Sequence, residues 1–328
     1  MKSVKSIALT ISVAFVAWIT LSQVAIAQDL KVRVGYGKTW GVAALLVGKA
    51  KGFFEAQGLK VTWLNFGSPN RIIQGIIADT VDVGASTGPH LVVAYEKGVK
   101  IKAVALGQTG MKPDTSYIVR TDANINNLKD LRGKRVGINN FGGNFDIYMR
   151  YMLEKRGLDP KKDVQFLEFP LPATIKGLLS KRIDVGAVTP PLVWLTGLKF
   201  KDKIKPLFSF TDVAREAGAK INSMIFIMST TFIAKNRPSA KAFLRGYLQA
   251  IRFSEKNPSE AKKLWAKESG IGLVATMPQF PPLGNGKVHI SGMQLDIRLM
   301  KKYGYIKAEP RAEELVDNSL IDDVLANR

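Results

Sequence analysis

Small polar residues recur where predicted strands give way to predicted helices. Six such turns combine hydroxyl, amide and glycine residues. At such a turn the first N–H groups of the helix have no partner within the helix, and the helix dipole favours negative charge. This arrangement predicts non-covalent capture of an anion, although each hydroxyl taken singly also fits a plain helix cap. The candidate residues are Thr39, Trp40, Ser68, Asn70, Ser86, Thr87, Gly88, Thr109, Asn139, Phe141, Gly142, Gly143, Thr189 and Pro190.

Residues suited to covalent or metal catalysis are sparse. The chain has no cysteine and only two histidines, His90 and His289. Neither forms a Ser/His/Asp arrangement or a cluster of metal ligands at a recognisable spacing. The stretch GYGKTWG resembles phosphate-binding loops, but Val32 and Trp40 occupy positions where those loops need glycine. We therefore expect no catalytic residue, no metal and no cofactor.

Aromatic side chains accompany the polar turns. Two of them, Phe66 and Phe145, are expected in the core. Large aromatic side chains beside polar turns are suited to covering the apolar part of a ligand. The candidates for lining a pocket are Tyr36, Trp40, Phe141 and Trp194.

Two stretches of the chain are nearly alike. VDVGASTGP, residues 81–89, returns as IDVGAVTPP, residues 183–191, and the flanking segments keep the same register. Arg33 has its counterpart in Arg135, 102 positions later, and Asp82 has its counterpart in Asp184 at the same spacing. Such a repeat predicts two similar structural units.

Alternating strand and helix patterns predict an α/β protein with mostly parallel sheets. We expect a first unit from residues 28–115 and 224–328 and a second unit from residues 116–223, with crossing strands near Thr115–Arg120 and Met224–Asn236.

The amino terminus reads as a secretory signal. Lys2 and Lys5 precede an apolar run, and Ala25 and Ala27 stand at the positions that a signal peptidase prefers. We expect residues 1–27 to be removed by cleavage after Ala27. Because cysteine is absent, no lipid anchor is expected. The predicted location is the periplasm, with outright secretion as the alternative.

The net charge of +21 raises the question of nucleic acid. The basic residues are scattered, however, and no basic run is longer than two. Together with export, this argues against nucleic acid as a partner. A positive field that attracts small anions, or a trait of the host's periplasmic proteins, both stay open.

The order of several segments resembles a known family. GKAKGFFEAQGLKV, LKDLRGKRVGINNFGG and IKGLLSKRIDVGAVTPP resemble the nitrate/sulfonate/taurine family of periplasmic solute-binding proteins of ABC transporters. The resemblance implies a two-lobed type II periplasmic-binding-protein fold that closes on its ligand. It also implies delivery to an inner-membrane permease with a cytoplasmic ATPase. Thr189 departs from the family pattern, since several relatives carry glutamate there.

The combined expectation is a monomeric, non-enzymatic receptor for a small organic anion. An aliphatic sulfonate is the first choice, and an aromatic carboxylate or a nitrate-type anion is the alternative. A biosynthetic enzyme on the same fold and a sensor without a permease are further alternatives. The expected head-group contacts are Ser86, Thr87, Gly142, Gly143 and Thr189, and the expected cover of the tail is Trp40, Phe141 and Trp194.

Overall fold

The computed structural model describes residues 30–66, 68–109, 115–280 and 283–326. The predicted signal peptide lies outside the described residues. The strands are β1 (Leu30–Tyr36), β2 (Leu59–Asn65), β3 (Val83–Ser86), β4 (Ile101–Thr109), β5 (Ser116–Arg120), β6 (Lys134–Ile138), β7 (Val164–Glu168), β8 (Val185–Val188), β9 (Ile204–Ser209) and β10 (Asn222–Ser229).

The strands form two five-stranded sheets of the same design. The first has the order β2-β1-β3-β10-β4, and the second has the order β7-β6-β8-β5-β9. In each sheet one strand is antiparallel to its neighbours, β10 in the first and β5 in the second. Parallel pairing joins β1 to β2 and β3, and β6 to β7 and β8. The predicted α/β class with two mostly parallel sheets is confirmed, while the residue boundaries of the two units stay a prediction.

Helices follow most strands and cover the sheets. They are α1 (Ala43–Lys51), α2 (Pro69–Ile77), α3 (Gly88–Glu96), α4 (Asn144–Glu154), α5 (Thr174–Leu179), α6 (Leu192–Lys199), α7 (Phe210–Ala217), α8 (Thr230–Lys235), α9 (Arg237–Lys256), α10 (Pro258–Ser269), α11 (Ile290–Lys302), α12 (Ala312–Leu315) and α13 (Ser319–Ala326). Within the described ranges no helix is long and apolar enough to cross a bilayer.

The repeated Arg and Asp residues make the same contacts in both sheets. Asp82 accepts hydrogen bonds from the backbone N–H of Arg33 at 2.7 Å and from its Nε at 3.0 Å. Asp184 accepts the same two bonds from Arg135, at 2.9 and 3.0 Å. Each aspartate precedes the strand that ends in a candidate turn, so both pairs lie at the opposite end of the sheet from those turns. The repeat therefore preserves a strand-start clamp.

The repeated glycines permit close packing of helix on sheet. A Cβ on Gly84 would lie 2.3 Å from Ile72 Cγ2 of α2, and a Cβ on Gly186 would lie 2.6 Å from Thr174 Cγ2 of α5. Neither position tolerates a larger residue without a shift of the helix, because packed interiors leave few voids. The glycines of the repeat thus set the distance between the sheet and its helix.

Two predicted elements are divided in the structure. The apolar spacing over residues 41–58 predicts one helix that ends at Gly58. Gly52, however, adopts a left-handed conformation with φ of +68° and ends α1 at Lys51, and Gly58, with φ of +77°, ends the short turn that follows. The crossing strand expected over Met224–Asn236 becomes β10 and α8. There the Ser229 hydroxyl accepts a hydrogen bond from Phe232 N at 2.9 Å and starts the helix.

Candidate functional site

The carboxyl ends of the first sheet's strands carry buried polar side chains. Ser86 ends β3, and Gln108 lies near the end of β4. Because β10 is antiparallel, it begins at this edge, with Ile225 opposite Ser86 and Met224 opposite Gln108, so Ser223 lies there as well. Ser86 Oγ, Gln108 Nε2 and Ser223 Oγ are buried and bond to no described residue. A buried polar group without a partner costs about 1–3 kcal/mol, so this edge is prepared for a bound molecule.

A short turn at Trp40–Val42 packs against the same edge. A Cβ on Gly107 would lie 2.7 Å from the carbonyl oxygen of Gly41, so the turn touches the end of β4. The Trp40 indole is 2 % exposed and packs edge-on against Trp265 with ring centroids 4.6 Å apart. Its Nε1 is buried and has no hydrogen-bond partner among the described residues. Trp40 is thus a core side chain that carries an available donor.

The second sheet contributes the start of α4. Asn144, the first residue of this helix, is 5 % exposed, and neither its Oδ1 nor its Nδ2 bonds to a described residue. Hydrogen bonds to Asp146 fix the preceding turn. Gly142 donates its N–H to Asp146 Oδ2 at 2.9 Å, and Tyr305 donates its hydroxyl to the same oxygen. The Gly142 N–H is therefore engaged within the protein, and Asn144 offers the polar atoms.

Helix α11 brings the two sheets' contributions together. Tyr148 of α4 donates its hydroxyl to Asp296 Oδ1 at 2.5 Å, and a Cβ on Gly88, at the start of α3, would lie 2.0 Å from Asp296 Oδ2. Ser86 stands two residues before Gly88, and Asn144 stands one helical turn before Tyr148 on the same face. Asp296 thus contacts the start of α3 and the second turn of α4, close in the chain to Ser86 and Asn144.

A second contact joins the two halves of the molecule, each half being one sheet with the helices packed on it. It involves Trp194 of α6. Its Nε1 donates to Thr276 Oγ1 at 3.2 Å. Thr276 ends a short 3-10 helix packed on α10, which in turn packs on α1 beside the first sheet. Trp194 is partly buried and therefore lies where α6 of the second sheet meets the first half.

Several predicted site residues have partners of their own. Ser68 caps α2 by accepting from Arg71 N at 3.5 Å, and Thr87 bonds through Oγ1 to His90 Nδ1 at 2.7 Å. Tyr36 packs edge-on against Trp63 with ring centroids 6.0 Å apart. The exposed or half-buried predicted residues are Thr39, Asn70, Asn139, Phe141 and Thr189, and the buried ones are Gly88, Thr109, Gly143 and Pro190.

Sequence reasoning missed four of the buried polar residues. Gln108 and Asn144 each adjoin a predicted turn residue, so adjacency was the available signal. Ser223 is the second residue of β10 and lies one position before Met224, where the sequence pattern predicts this strand to begin. Asp296 is the one acid within the buried stripe of α11, among Met293, Ile297 and other apolar residues. An acid at a core position of an amphipathic helix is a signal in its own right.

The buried groups around this junction are mainly neutral donors. Indole N–H, amide and hydroxyl groups predominate, and none of the buried side-chain atoms left without a partner among the described residues belongs to lysine or arginine. Burial lowers the pKa of His90 to about 4, so its ring is neutral near pH 7. Neutral donors near two helix starts are suited to an oxyanion, since they supply hydrogen bonds without a fixed counter-charge.

Three depressions elsewhere on the surface are further candidates for a binding site. Depressions of about 680, 680 and 550 Å³ lie around Arg33–Asp82, around Lys220–His289 and around Arg156–Asp212. None is lined by a predicted site residue. Across the described part of the chain, no group of three His, Asp or Glu side chains could hold a metal ion. The junction at Asp296 is therefore the candidate site.

A family model described as NMT1/THI5 like matches residues 40–261, which is more than half of the chain. The chain belongs to the NMT1/THI5-like family. A Bacillus subtilis protein named for aliphatic sulfonate binding is 22% identical over 243 residues, covering 73% of this chain and 70% of that protein. The 4-amino-5-hydroxymethyl-2-methylpyrimidine phosphate synthase of Schizosaccharomyces pombe is 24% identical over 225 residues, covering 67% of this chain and 63% of the enzyme.

The fold has a counterpart among solved structures. The periplasmic aliphatic sulphonate binding protein of Escherichia coli superimposes with a TM-score of 0.74 at 16% identity, covering 88% of this chain and 92% of that chain. At this identity the match establishes the fold alone. The predicted periplasmic-binding-protein fold and the predicted family resemblance are both confirmed.

Proposed function

We propose that this member of the NMT1/THI5-like family is the substrate-binding component of an ABC importer and takes a small organic anion. The observation that carries the proposal is the set of buried donors from both sheets, Ser86, Gln108, Asn144 and Ser223, around the starts of α3 and α4. An oxyanion placed there would satisfy groups that otherwise remain unpaired. Closure of the two halves would then remove the ligand from water.

An aliphatic sulfonate is the first choice of ligand. Two relatives of this chain are named for binding such compounds. The sulfonate group offers three acceptor oxygens, which matches a site dominated by neutral donors. Trp194 would cover the alkyl tail, Trp40 would offer its buried indole N–H, and Thr189 adds a hydroxyl rather than a charge. An aromatic carboxylate or a nitrate-type anion fits the same donors less completely, and both belong in the binding screen.

Export and delivery follow from the same proposal. Cleavage after Ala27 would release a periplasmic protein without a lipid anchor, and the closed receptor would dock on an inner-membrane permease. Mass spectrometry of the protein recovered from the periplasm would give a chain that begins at Gln28. A retained amino terminus would contradict the proposed processing.

An enzymatic role is the second candidate, favoured by the relative named as a pyrimidine phosphate synthase. His90 is half-buried and bonded through Nδ1 to Thr87, so this ring nitrogen is already engaged within the protein. Incubation of purified protein with candidate substrates should give no turnover. Product formation would favour the enzyme instead.

Two serine variants test the binding site. Ligand at about 100 times its Kd adds roughly 2.7 kcal/mol of stability, so a thermal-shift screen with sulfonates, carboxylates and nitrate identifies the anion. Ser86→Ala should then weaken binding about tenfold or more, because one hydrogen bond to a charged group is lost. Ser68→Ala is the matched control, since Ser68 caps α2. It should lower Tm slightly and leave Kd unchanged. Equal effects of both variants on Kd would contradict the placement.

A further inference from the structure

Asp296 is an acid in a position where acids are rare. It lies on α11 with no exposed surface, between buried residues such as Met293 and Met300. Carboxylates are almost never fully buried without a cationic or multiply hydrogen-bonded environment. The contacts of its two oxygens therefore decide whether this carboxyl group is ionised or neutral.

The two oxygens of Asp296 have different surroundings. Oδ1 accepts the hydroxyl of Tyr148 at 2.5 Å. Oδ2 is buried, bonds to no described residue and lies against the start of α3, 2.0 Å from a Cβ placed on Gly88. Ser86 and Asn144, whose polar atoms are also without partners among the described residues, stand two residues from Gly88 and one turn from Tyr148. Oδ2 is thus a buried polar atom without a described partner, next to the start of the helix that follows Ser86.

No cation among the described residues neutralises Asp296. On α4, Arg150 is paired with Asp146 at 2.6 Å. On α3, His90 is neutral and bonded to Thr87. Helix α12, which packs on α11, carries acids rather than cations: Glu314 accepts from Tyr95 at 2.7 Å, and Glu313 adds a further negative charge. The charged residues of α11 itself, Arg298, Lys301 and Lys302, are exposed.

An ionised, unpaired carboxylate in this position would be strongly destabilising, so the protonated form is favoured. Burial raises the pKa of Asp296 to about 8, although the hydrogen bond from Tyr148 acts in the opposite direction. Because Oδ1 already accepts from Tyr148, the hydrogen of the neutral acid resides on Oδ2. That hydrogen needs an acceptor, and an oxyanion in the site would supply one.

We propose that Asp296 is a specificity-determining residue that takes part in binding as the neutral acid and donates its Oδ2 hydrogen to an oxygen of the anionic head group. This inference rests on the proposed function and deepens it. It assigns to the site a ligand that presents acceptor oxygens to Asp296. A zwitterion that presents an ammonium group would require the ionised carboxylate and the opposite pH dependence.

Titration calorimetry with butanesulfonate and with 3-aminopropanesulfonate, between pH 6 and pH 9.5, tests the proposal. With wild-type protein, Kd for butanesulfonate should be constant up to about pH 7 and about tenfold higher at pH 9, because the competent acid is lost as pH rises through a pKa near 8. Asp296→Asn keeps a donor N–H but cannot ionise, so its Kd should stay within a few-fold of wild type and lose the pH dependence.

Asp296→Leu should raise Kd more than tenfold, because the donor is removed. Glu309→Gln is the matched control for Asp296→Asn, since it makes the same acid-to-amide replacement at an exposed position. It should leave both Kd and its pH dependence unchanged. Affinity that rises with pH, or an Asp296→Asn profile identical to wild type, would overturn the proposal.

A ligand-free measurement separates this inference from the proposed function. The folded protein retains a proton on Asp296 that the unfolded chain releases near pH 4, so this residue makes stability fall as pH rises from about 4 to 8. The Tm of Asp296→Asn relative to wild type should therefore increase by several degrees between pH 5 and pH 8. If no anion binds but this increase is seen, the proposed function fails while the protonation of Asp296 stands. A constant Tm difference would overturn the inference itself.

Discussion

Among single residues, the two Arg–Asp clamps are the part of the repeat that stabilises the fold, since they lie at the opposite end of each sheet from the candidate turns. Asp184 is largely buried and accepts hydrogen bonds from both the backbone and the side chain of Arg135. Burial by itself would raise the pKa of Asp184, but the bonds from Arg135 outweigh it and hold this pKa below its usual range. The clamp therefore stabilises the fold only while Asp184 is ionised.

Asp184→Ala should lower the free energy of unfolding by about 2 kcal/mol at pH 7, the value typical of hydrogen bonds to a charged group. The deficit relative to wild type should be complete above about pH 4 and should shrink as the pH falls below that, because wild type then loses the ionised form. Urea titrations at pH 7 and pH 3 measure this. Since the clamp lies at the opposite end of β8 from the site, Kd should not change. A large loss of affinity would show that the clamp acts on the ligand.

Residues of the same type have different hydrogen-bonding environments at the six turns, and this difference limits what the sequence predicts about the site. Ser68 and Ser86 both stand between a strand and a helix, yet Ser68 caps its helix and Ser86 is buried without a partner among the described residues. The difference depends on what packs over each turn. Gly88 contacts Asp296, a residue more than 200 positions away. Local sequence carries no record of that contact.

At the scale of elements, glycine spacing decides how closely helices lie on the sheets. Gly84→Ala should destabilise the protein by about 1–3 kcal/mol, because the new methyl group meets Ile72 Cγ2 at 2.3 Å. Gly197→Ala is the matched control in helix α6, where nothing lies within 4 Å of the new Cβ. It should stabilise the protein by about 0.5–1 kcal/mol through helix propensity. Chemical denaturation measures both, and equal shifts would contradict the packing account.

The repeat made most elements predictable. Strands β1–β3 and β6–β8 and their helices follow from alternating patterns and from glycines that recur at one spacing. By contrast, β9, α7 and α11 were not predicted, although β9 occupies the edge position in the second sheet that β4 occupies in the first. Helix α11 gains its role from contacts with α3 and α4 in opposite halves of the molecule. An amphipathic pattern predicts a helix, but it does not say which two surfaces that helix joins.

For the whole molecule, we expect ligand binding to be coupled to closure of the two halves. Trp194 of the second half bonds to Thr276 of the first, and Trp40 lies at the site edge of the first sheet. Binding should therefore change tryptophan fluorescence. Trp40→Phe should remove most of that change, whereas Trp63→Phe, which alters a tryptophan packed on Tyr36 and Phe54, should preserve it. Unchanged affinity in the double variant Trp40→Ala, Trp194→Ala would exclude both residues from the pocket.

The proposed anion site lies between the two halves, where α3 and α4 both pack on α11 at Asp296. A crystal structure of the protein with the anion that gives the largest thermal shift tests it most directly. We expect head-group oxygens within hydrogen-bond distance of Ser86 Oγ, Asn144 Nδ2 and Asp296 Oδ2. An anion held instead in the depression around Arg33 and Lys97, with the junction at Asp296 free of ligand, would contradict it.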